Sequence, residues 1–232
     1  MNYCLFFNQV YFDVNSIKVC GVGASLTPRQ SAMTIKQKQN CDYYAQYFLK
    51  HRACAKFTSK YMLLFAGLLE SDINTASFVP RPFTLRIGKS FFTPSFYANQ
   101  LGRKCVIHIA SQSLGKDLSE AITEFFYVNG YSFTQISSEE VYSKKVLALN
   151  WLDIVKRLYV AKTLFVEEEK RLIRQFLNNC PDTAIFEFID AGNRTGTMKS
   201  EIALCQLIYE HSVVAELDSR RLNYDTKLRL AL

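Results

Sequence analysis

Apolar residues recur every three or four positions in three stretches of the chain, which is the pattern of a helix with one buried face. Thr58 or Ser59 can cap the first helix, which ends near residues 70–72. A second helix is predicted over about 116–129 and is closed by Gly130 as a glycine cap. A third is predicted over 165–178, where glutamates precede lysine and arginine.

Around and between the first two helices, apolar residues fall into short extended runs. These runs are residues 75–79, 83–87, 90–97, 104–110 and 131–136. The segments 87–90 (IGKS) and 99–102 (NQLG) are predicted hairpin turns. Helix, antiparallel strands, helix and strand in this order predict an α/β domain with a mixed sheet, which is the layout of the restriction-endonuclease-like fold.

The two ends of the chain carry other patterns. Residues 3–19 alternate weakly and predict two short strands, whereas residues 25–40 are polar and basic and predict an arm or exposed loop. In the C-terminal part, the predicted elements are helices over 151–159 and 197–210, a helix or strand over 183–190, and a two-stranded wing over 212–229. Together with the helix over 165–178 they predict a small helical winged-helix-like domain.

Three domains are therefore predicted. The N-terminal strands and basic arm cover residues 1–55, and the restriction-endonuclease-like domain covers 56–148. The helical winged-helix-like domain covers 149–232.

Positive charge is concentrated in one segment. The chain has a net charge of +7, and the seven basic residues between positions 29 and 60 face one acid, Asp42. Such a segment is typical of a protein that binds a phosphate backbone, although a solvated basic face has the same composition. The predicted DNA-binding residues are Arg29, Lys36, Lys38, Lys50, Arg52, Lys56 and Lys60.

Cysteine and histidine usage argues against a disulfide framework and against a zinc site. The seven cysteines include no CxxC pair, and His51, His108 and His211 are far apart in the sequence. Reduced thiols in a cytoplasmic protein are the natural interpretation. The start of the chain lacks the basic region and cleavage site of a signal peptide, and no long uncharged apolar stretch predicts a membrane span. We expect no cofactor and no membrane partner.

Several short motifs follow one another in order along most of the chain. They are 57–62 (FTSKYM), 81–82 (RP), 92–96 (FTPSF), 106–110 (VIHIA), 130–136 (GYSFTQI), 150–152 (NWL) and 215–218 (AELD). Over about residues 55–225 their order and spacing resemble the TnsA family, the endonuclease subunit of heteromeric cut-and-paste transposases. The resemblance implies transposon-end DNA, a DDE-type transposase subunit and an AAA+ ATPase transposition regulator as partners.

The chain departs from this family at the residues of the catalytic site. By resemblance, a helix Glu, a strand-end Asp and an acid-x-Lys pair correspond here to Met62, Ser95, His108 and Ala110. Hydrolysis with Mg²⁺ needs carboxylate ligands, and the Lys positions the attacking water. A thioether, a hydroxyl, an imidazole and a methyl group cannot form such a hard oxygen site. We therefore expect no catalytic residues, no metal site and an inactive endonuclease homologue that binds transposon-end DNA and partner transposition proteins.

Two alternatives remain. In the first, the protein is an active metal-dependent endonuclease whose acids have moved to Glu70, Asp72, Asp117, Glu120 or Glu124, although exposed solvating charge is the commoner role of such helix residues. His108 could then serve as a base or ligand, whereas a structural histidine on the sheet is the commoner case. In the second, the protein is an interaction protein without a DNA role.

Overall fold

The computed structural model describes residues 16–20, 25–33, 35, 39, 41–110 and 114–231. The predicted strand before residue 16, together with Lys36 and Lys38 of the predicted basic arm, lies outside these residues. The helices are α1 (Lys60–Ser71), α2 (Lys116–Val128), α3 (Ser138–Ser143), α4 (Lys145–Val160), α5 (Glu167–Asn179) and α6 (Arg194–Tyr209). The strands are β1 (Ile17–Cys20), β2 (Tyr44–Tyr47), β3 (Cys54–Phe57), β4 (Thr75–Pro80), β5 (Thr84–Ile87), β6 (Ser90–Phe92), β7 (Phe96–Gln100), β8 (Arg103–Ala110), β9 (Ser132–Ser137), β10 (Thr183–Ala184), β11 (Val213–Ala215) and β12 (Lys227–Leu230).

The chain divides into two compact units that each combine distant segments. The first unit is Met1–Ala32 with Val79–Ser138, and the second is Met33–Phe78 with Glu139–Leu232. This grouping does not coincide with the predicted boundaries after residues 55 and 148. The physical reason is that α1 packs along α4, so the first predicted helix shares a unit with the C-terminal helices.

The first unit contains a mixed sheet of strand order β4-β7-β8-β9, whose first strand begins in the second unit. β7 and β8 form an antiparallel hairpin in which Phe96 lies opposite Ile107. The turn between them has positive φ angles at Leu101 and Gly102, which confirms the predicted hairpin. β8 and β9 are parallel, with α2 as the crossover that parallel neighbours require. The mixed sheet with its crossover helix establishes the α/β class.

A second sheet in this unit, of order β1-β5-β6, packs its apolar residues against α2. Leu85 and Val106 are fully buried there with Ile122 and Phe126. Gly130 has a φ of 77° and ends α2 as predicted. Residues 25–33 have no regular secondary structure, but they are not a free arm. Their backbone is tied down where Arg29 N donates to Pro82 O at 3.0 Å.

The second unit begins its helical core at α1. Of the two predicted caps, Thr58 and Ser59, the structure shows Ser59, whose Oγ accepts a hydrogen bond from Met62 N. The last helix differs from the prediction. It starts at Arg194 rather than Thr197, because Asn193 Oδ1 accepts from Gly196 N at 3.1 Å and caps the helix earlier. The ambiguous segment 183–190 is a short strand followed by a 3₁₀ turn over Ile185–Glu187.

The two strands predicted over 212–229 correspond to β11 and β12, which pair antiparallel and join β10 in a sheet of order β10-β12-β11. Its apolar side chains pack on α4, α5 and α6, with Leu207 and Leu228 fully buried. Within the described residues, no helix combines the length and the apolar character needed to cross a membrane.

Candidate functional site

Ser95 lies immediately before β7, at the position where the resemblance places a metal-binding Asp. Its side chain is buried, and its hydroxyl oxygen accepts a 2.9 Å hydrogen bond from the backbone N–H of Ile109 on β8. Its carbonyl oxygen accepts a second bond from Arg81 N at 2.8 Å. Ser95 therefore joins the start of β7 to the end of β8, and its hydroxyl is used within the sheet.

His108 lies on β8, one residue before Ile109. Its ring centroid is 4.8 Å from that of Phe92, and its buried Nδ1 has no hydrogen-bond partner within the described part of the chain. Burial lowers the pKa of His108, so the imidazole is neutral at pH 7. Contact with an aromatic ring supports the interpretation of His108 as a structural residue. Ala110 ends β8 opposite Ser137 and offers a methyl group.

Met62 belongs to the second unit, whereas Ser95, His108 and Ala110 belong to the first. It lies in the first turn of α1 and is buried, with its Sδ 3.4 Å from Thr58 Oγ1. Met62 is therefore a packing residue of the helix core. In the first unit, the bond from Ile109 N to Ser95 Oγ brings the start of β7 and the His108–Ala110 segment together.

Four of the five acids considered as replacement ligands fall into two groups. The fifth, Asp72, accepts hydrogen bonds from Asn74 N and Thr75 Oγ1 in the turn after α1. Asp117, Glu120 and Glu124 are exposed on α2, as expected of solvating charge. The same expectation is wrong for Glu70, whose exposed fraction is 0%. Among the residues that the structure describes, no cluster of three or more His, Cys, Asp and Glu is placed to hold a metal ion.

Glu70 is the centre of a buried polar network in the second unit. Its Oε1 accepts from Lys50 N at 2.9 Å, and its Oε2 accepts from the Tyr209 hydroxyl at 2.8 Å. Burial raises the pKa of the Glu70 carboxyl, because the apolar surroundings disfavour the charged form more than these donors favour it. Neither of its oxygens is left without a donor, so the network serves folding rather than ligand binding.

Lys50, predicted to bind DNA, is part of this network. Its Nζ donates to the carbonyl oxygens of Leu69, Glu70 and Asp72 at 3.1, 2.9 and 2.7 Å. An ammonium group has three protons, so all of its donors are used at the C-terminal end of α1, where a cation is also favoured by the helix dipole. We therefore leave Lys50 out of the candidate DNA-binding surface.

Exposed lysines lie over tyrosine rings at the start of α1 and α4, in a group that we call the lysine–tyrosine cluster (Lys60, Tyr61, Tyr142 and Lys145). Lys60 Nζ is 5.2 Å from the ring centroid of Tyr61 and 5.6 Å from that of Tyr142. Lys145 follows Tyr142 by three positions, and its Nζ is 5.0 Å from the centroid of the Tyr142 ring. These contacts place the first residues of both helices side by side.

The two helices run in the same direction, which adds to the positive potential of the cluster. Seven residues beyond Lys60, Gly67 lies so close to α4 that a Cβ there would be 2.5 Å from Ala148 O. The first turn of neither helix contains an acidic residue. The positive ends of the two helix dipoles therefore point to the same side as the lysines, an arrangement that favours phosphate. The basic segment of the sequence indicates Lys60, whereas no local pattern indicates Tyr142 and Lys145, which lie some eighty positions away.

Of the remaining predicted DNA-binding residues, the three that the structure describes are exposed. Arg29 lies in the first unit, and Arg52 and Lys56 lie in the second, in the β2–β3 turn and on β3. The chain matches no protein-family model, and no curated protein matches it.

Proposed function

We propose that the chain is a catalytically inactive TnsA-like component of a DNA transposition complex, which binds transposon-end DNA and partner transposition proteins. The main support for this proposal is that the side chains at the strand ends make contacts inside the fold. The Ser95 hydroxyl is bonded to Ile109 N, and the His108 ring rests on Phe92. Neither supplies the carboxylate oxygen that a hydrolytic Mg²⁺ site requires.

The strand order supports the proposed domain types. From α1 to β9, the chain forms a helix, the antiparallel pair β7 and β8, and the crossover helix α2. β9 then lies parallel to β8. This is the arrangement expected of a restriction-endonuclease-like core. In the C-terminal part, α5 and α6 packed on the β10-β12-β11 sheet are the arrangement expected of a winged-helix-like domain.

The lysine–tyrosine cluster supports the DNA-binding part of the proposal. Lysine ammonium groups that neutralise phosphates release counterions and supply most of the affinity of a protein for the DNA backbone. Lys60 and Lys145 are exposed and stand at two helix N-termini without acidic neighbours in the first turn. The resemblance supplies the transposon-end DNA as the expected ligand.

An apolar surface of the second unit supports the protein-binding part. A groove of about 490 Å³ is lined by Leu172, Ile173 and Phe176 of α5 and by Phe188. Polar side chains complete its lining, namely Glu169, Gln175, Asn179, Glu187 and Ser200. Leu172 and Phe176 are 50% and 40% exposed, which is typical of residues that a partner covers. The identity of these partners, a transposase subunit and an AAA+ ATPase regulator, comes from the resemblance. The cytoplasmic location is proposed from the cysteine usage, which is typical of reduced thiols.

A cleavage assay tests the loss of catalysis. Purified protein is incubated with supercoiled plasmid and Mg²⁺ or Mn²⁺, and we expect no conversion to nicked or linear DNA. Asp117→Asn is the matched variant, since Asp117 is exposed on α2 and its loss leaves the core intact. Nicking by the native chain that disappears in Asp117→Asn or Glu70→Gln would contradict the proposal and support an active endonuclease with relocated acids.

The salt dependence of duplex binding tests the DNA interface. Lys60→Ala and Lys145→Ala should each reduce the slope of log K against log salt by about 0.9, the value for one phosphate contact on duplex DNA. Lys116→Ala is the control, because Lys116 is exposed on α2 and lies 3.9 Å from Glu120. Absence of affinity, or affinity that does not fall with salt, would favour an interaction protein without a DNA role.

A further inference from the structure

The β2–β3 ribbon of the second unit presents two exposed tyrosines on its outer face. Side chains alternate between faces along a strand, so Ala45 and Tyr47 of β2 share one side. Tyr43 immediately precedes β2 and continues the same alternation of exposed and half-buried residues. Tyr43 and Tyr47 are 45% and 46% exposed, whereas Phe48 beyond them is fully buried. On β3, the exposed Lys56 lies opposite Ala45. The outer face therefore combines two flat rings, a small residue between them and a lysine.

The ring of Tyr47 is held in place before any ligand arrives. It stacks on Tyr159 of α4 with centroids 4.3 Å apart and planes inclined by 12°. Lys162 Nζ lies 4.9 Å from the Tyr159 centroid and adds a positive charge beside the stack. β2 itself is fastened to α4 where Gln46 Nε2 donates to Leu152 O at 3.1 Å. Such a fixed ring loses little entropy when a second flat group stacks on its open side.

The charges around these rings identify the kind of ligand. Lys56, Lys156 and Lys162 are exposed, and Asp42, near the start of β2, is the one acid between positions 29 and 60. Exposed aromatic rings with surrounding lysines match a polyanion that also offers flat faces. Single-stranded nucleic acid has both features, and proteins that bind it combine a basic groove with aromatic stacking. A protein partner would need an acidic apolar surface instead.

The spacing of the two tyrosines along the chain favours an unpaired strand. Tyr47 follows Tyr43 by four positions, which is about 13 Å between their Cα atoms at roughly 3.3 Å per residue of extended chain. Bases in a duplex are about 3.4 Å apart and cover one another's faces, so they cannot stack on either ring. We propose that the outer face of the β2–β3 ribbon binds unpaired bases of single-stranded DNA, with Tyr43 and Tyr47 as stacking platforms and Lys56 and Lys162 as phosphate contacts. This inference rests on the proposed function and names the form of DNA that this second surface recognises.

Fluorescence anisotropy with a labelled fifteen-nucleotide oligothymidylate and a labelled blunt duplex of equal length tests the inference. Tyr47→Leu keeps apolar contact with Tyr159 but removes the flat ring, and Tyr43→Ala leaves the Tyr47–Tyr159 stack in place. Each should weaken single-strand binding by about tenfold, since stacking contributes on the order of 1–3 kcal/mol per base. Duplex affinity should stay unchanged. Tyr127→Ala is the control, because Tyr127 is 78% exposed on α2.

Salt titration separates stacking from phosphate contact. The tyrosine variants should leave the slope of log K against log salt unchanged, whereas Lys162→Ala should reduce it by about 0.7, the value for one contact on a single strand. Tyr47→Phe should retain single-strand affinity, because phenylalanine keeps the ring. Thermal melting of each variant verifies that it is folded.

The outcomes distinguish this inference from the proposed function. If the Tyr43→Ala, Tyr47→Leu double variant binds single strands as tightly as the native chain, the inference is overturned and the face is left to a protein partner. Duplex binding in the same assay would still preserve the proposed function. Duplex binding without any single-strand binding by the native chain also overturns the inference. Absence of binding to both DNA forms contradicts the proposed function itself.

Discussion

The Tyr209 hydroxyl donates a 2.8 Å hydrogen bond to Oε2 of Glu70, which joins residues 139 positions apart in the chain. Glu70 is on α1 and has no exposed surface, and Tyr209 is the last residue of α6. Burial raises the pKa of both groups, so each is held in its neutral form over a wider pH range than in water. This contact aligns the end of α1 with the end of α6 inside the second unit.

Tyr209→Phe removes the donor while it keeps the ring. The Glu70 oxygen then loses a hydrogen bond in a buried site, so we expect the free energy of unfolding to fall by about 1–3 kcal/mol. Urea denaturation at pH 7 measures the change. Tyr127→Phe is the control, since Tyr127 is exposed. Equal loss in both variants, or no loss in Tyr209→Phe, would show that the hydrogen bond does not stabilise the fold.

Glu70 makes stability depend on pH in a direction opposite to that of an ordinary salt-bridged carboxylate. Its pKa in the folded chain is raised above the ordinary value of 4.5. Its contribution to stability is therefore fully present below pH 4.5 and is lost as the pH rises through the folded pKa.

The free energy of unfolding of the native chain, minus that of Glu70→Gln, should thus be larger near pH 4.5 than near pH 8. Urea titrations of both proteins across this range measure the difference. His211, whose pKa is lowered mainly by burial, titrates in both proteins and its effect cancels. A difference that does not vary with pH would contradict the assignment.

Lys50 is expected to matter for stability and not for DNA. Lys50→Met keeps the aliphatic stem but leaves the carbonyl oxygens of Leu69, Glu70 and Asp72 without their shared donor. We expect a loss of about 1–3 kcal/mol in unfolding free energy. The salt slope of duplex binding should stay that of the native chain, in contrast to Lys60→Ala. A reduced slope with unchanged stability would return Lys50 to the DNA-binding surface.

Gly67 is required by the close packing of α1 on α4. A Cβ at this position would lie 2.5 Å from Ala148 O and 3.0 Å from Leu152 Cγ, so one helix must move. Gly67→Ala should cost about 1–3 kcal/mol by overpacking, although alanine has the higher helix propensity. Gly115→Ala is the matched control, because a Cβ there meets no atom within 4 Å. Circular dichroism melting curves of both variants check the prediction.

The position of Glu70 along α1 indicates a buried side chain, whereas its residue type indicates an exposed one. Glu70 follows Met62 by eight positions and Ala66 by four, so it lies on the same stripe of α1 as these buried residues. Residue type indicates an exposed charge, since carboxylates are seldom fully buried without partners. The partners are Lys50 and Tyr209, and neither their distance nor their orientation is contained in the pattern of α1.

The sequence by itself determined the elements whose causes are local. The Ser59 cap, the hairpin at residues 99–102 and the glycine end of α2 each depend on a few neighbouring residues, and each was predicted. Periodicity likewise located β4, β8 and β9 of the mixed sheet. The single run predicted over 90–97 was wrong, because residues 93–95 separate β6 and β7, which belong to different sheets.

Only the tertiary structure decided which surfaces those elements form. Lys145 joins Lys60 around Tyr142, Tyr159 supports Tyr47, and Tyr209 meets Glu70. These pairs are held together by burial, stacking and hydrogen bonding between residues about eighty or more positions apart. The free energy of such contacts depends on where the helices pack, and no local pattern along the chain carries that information.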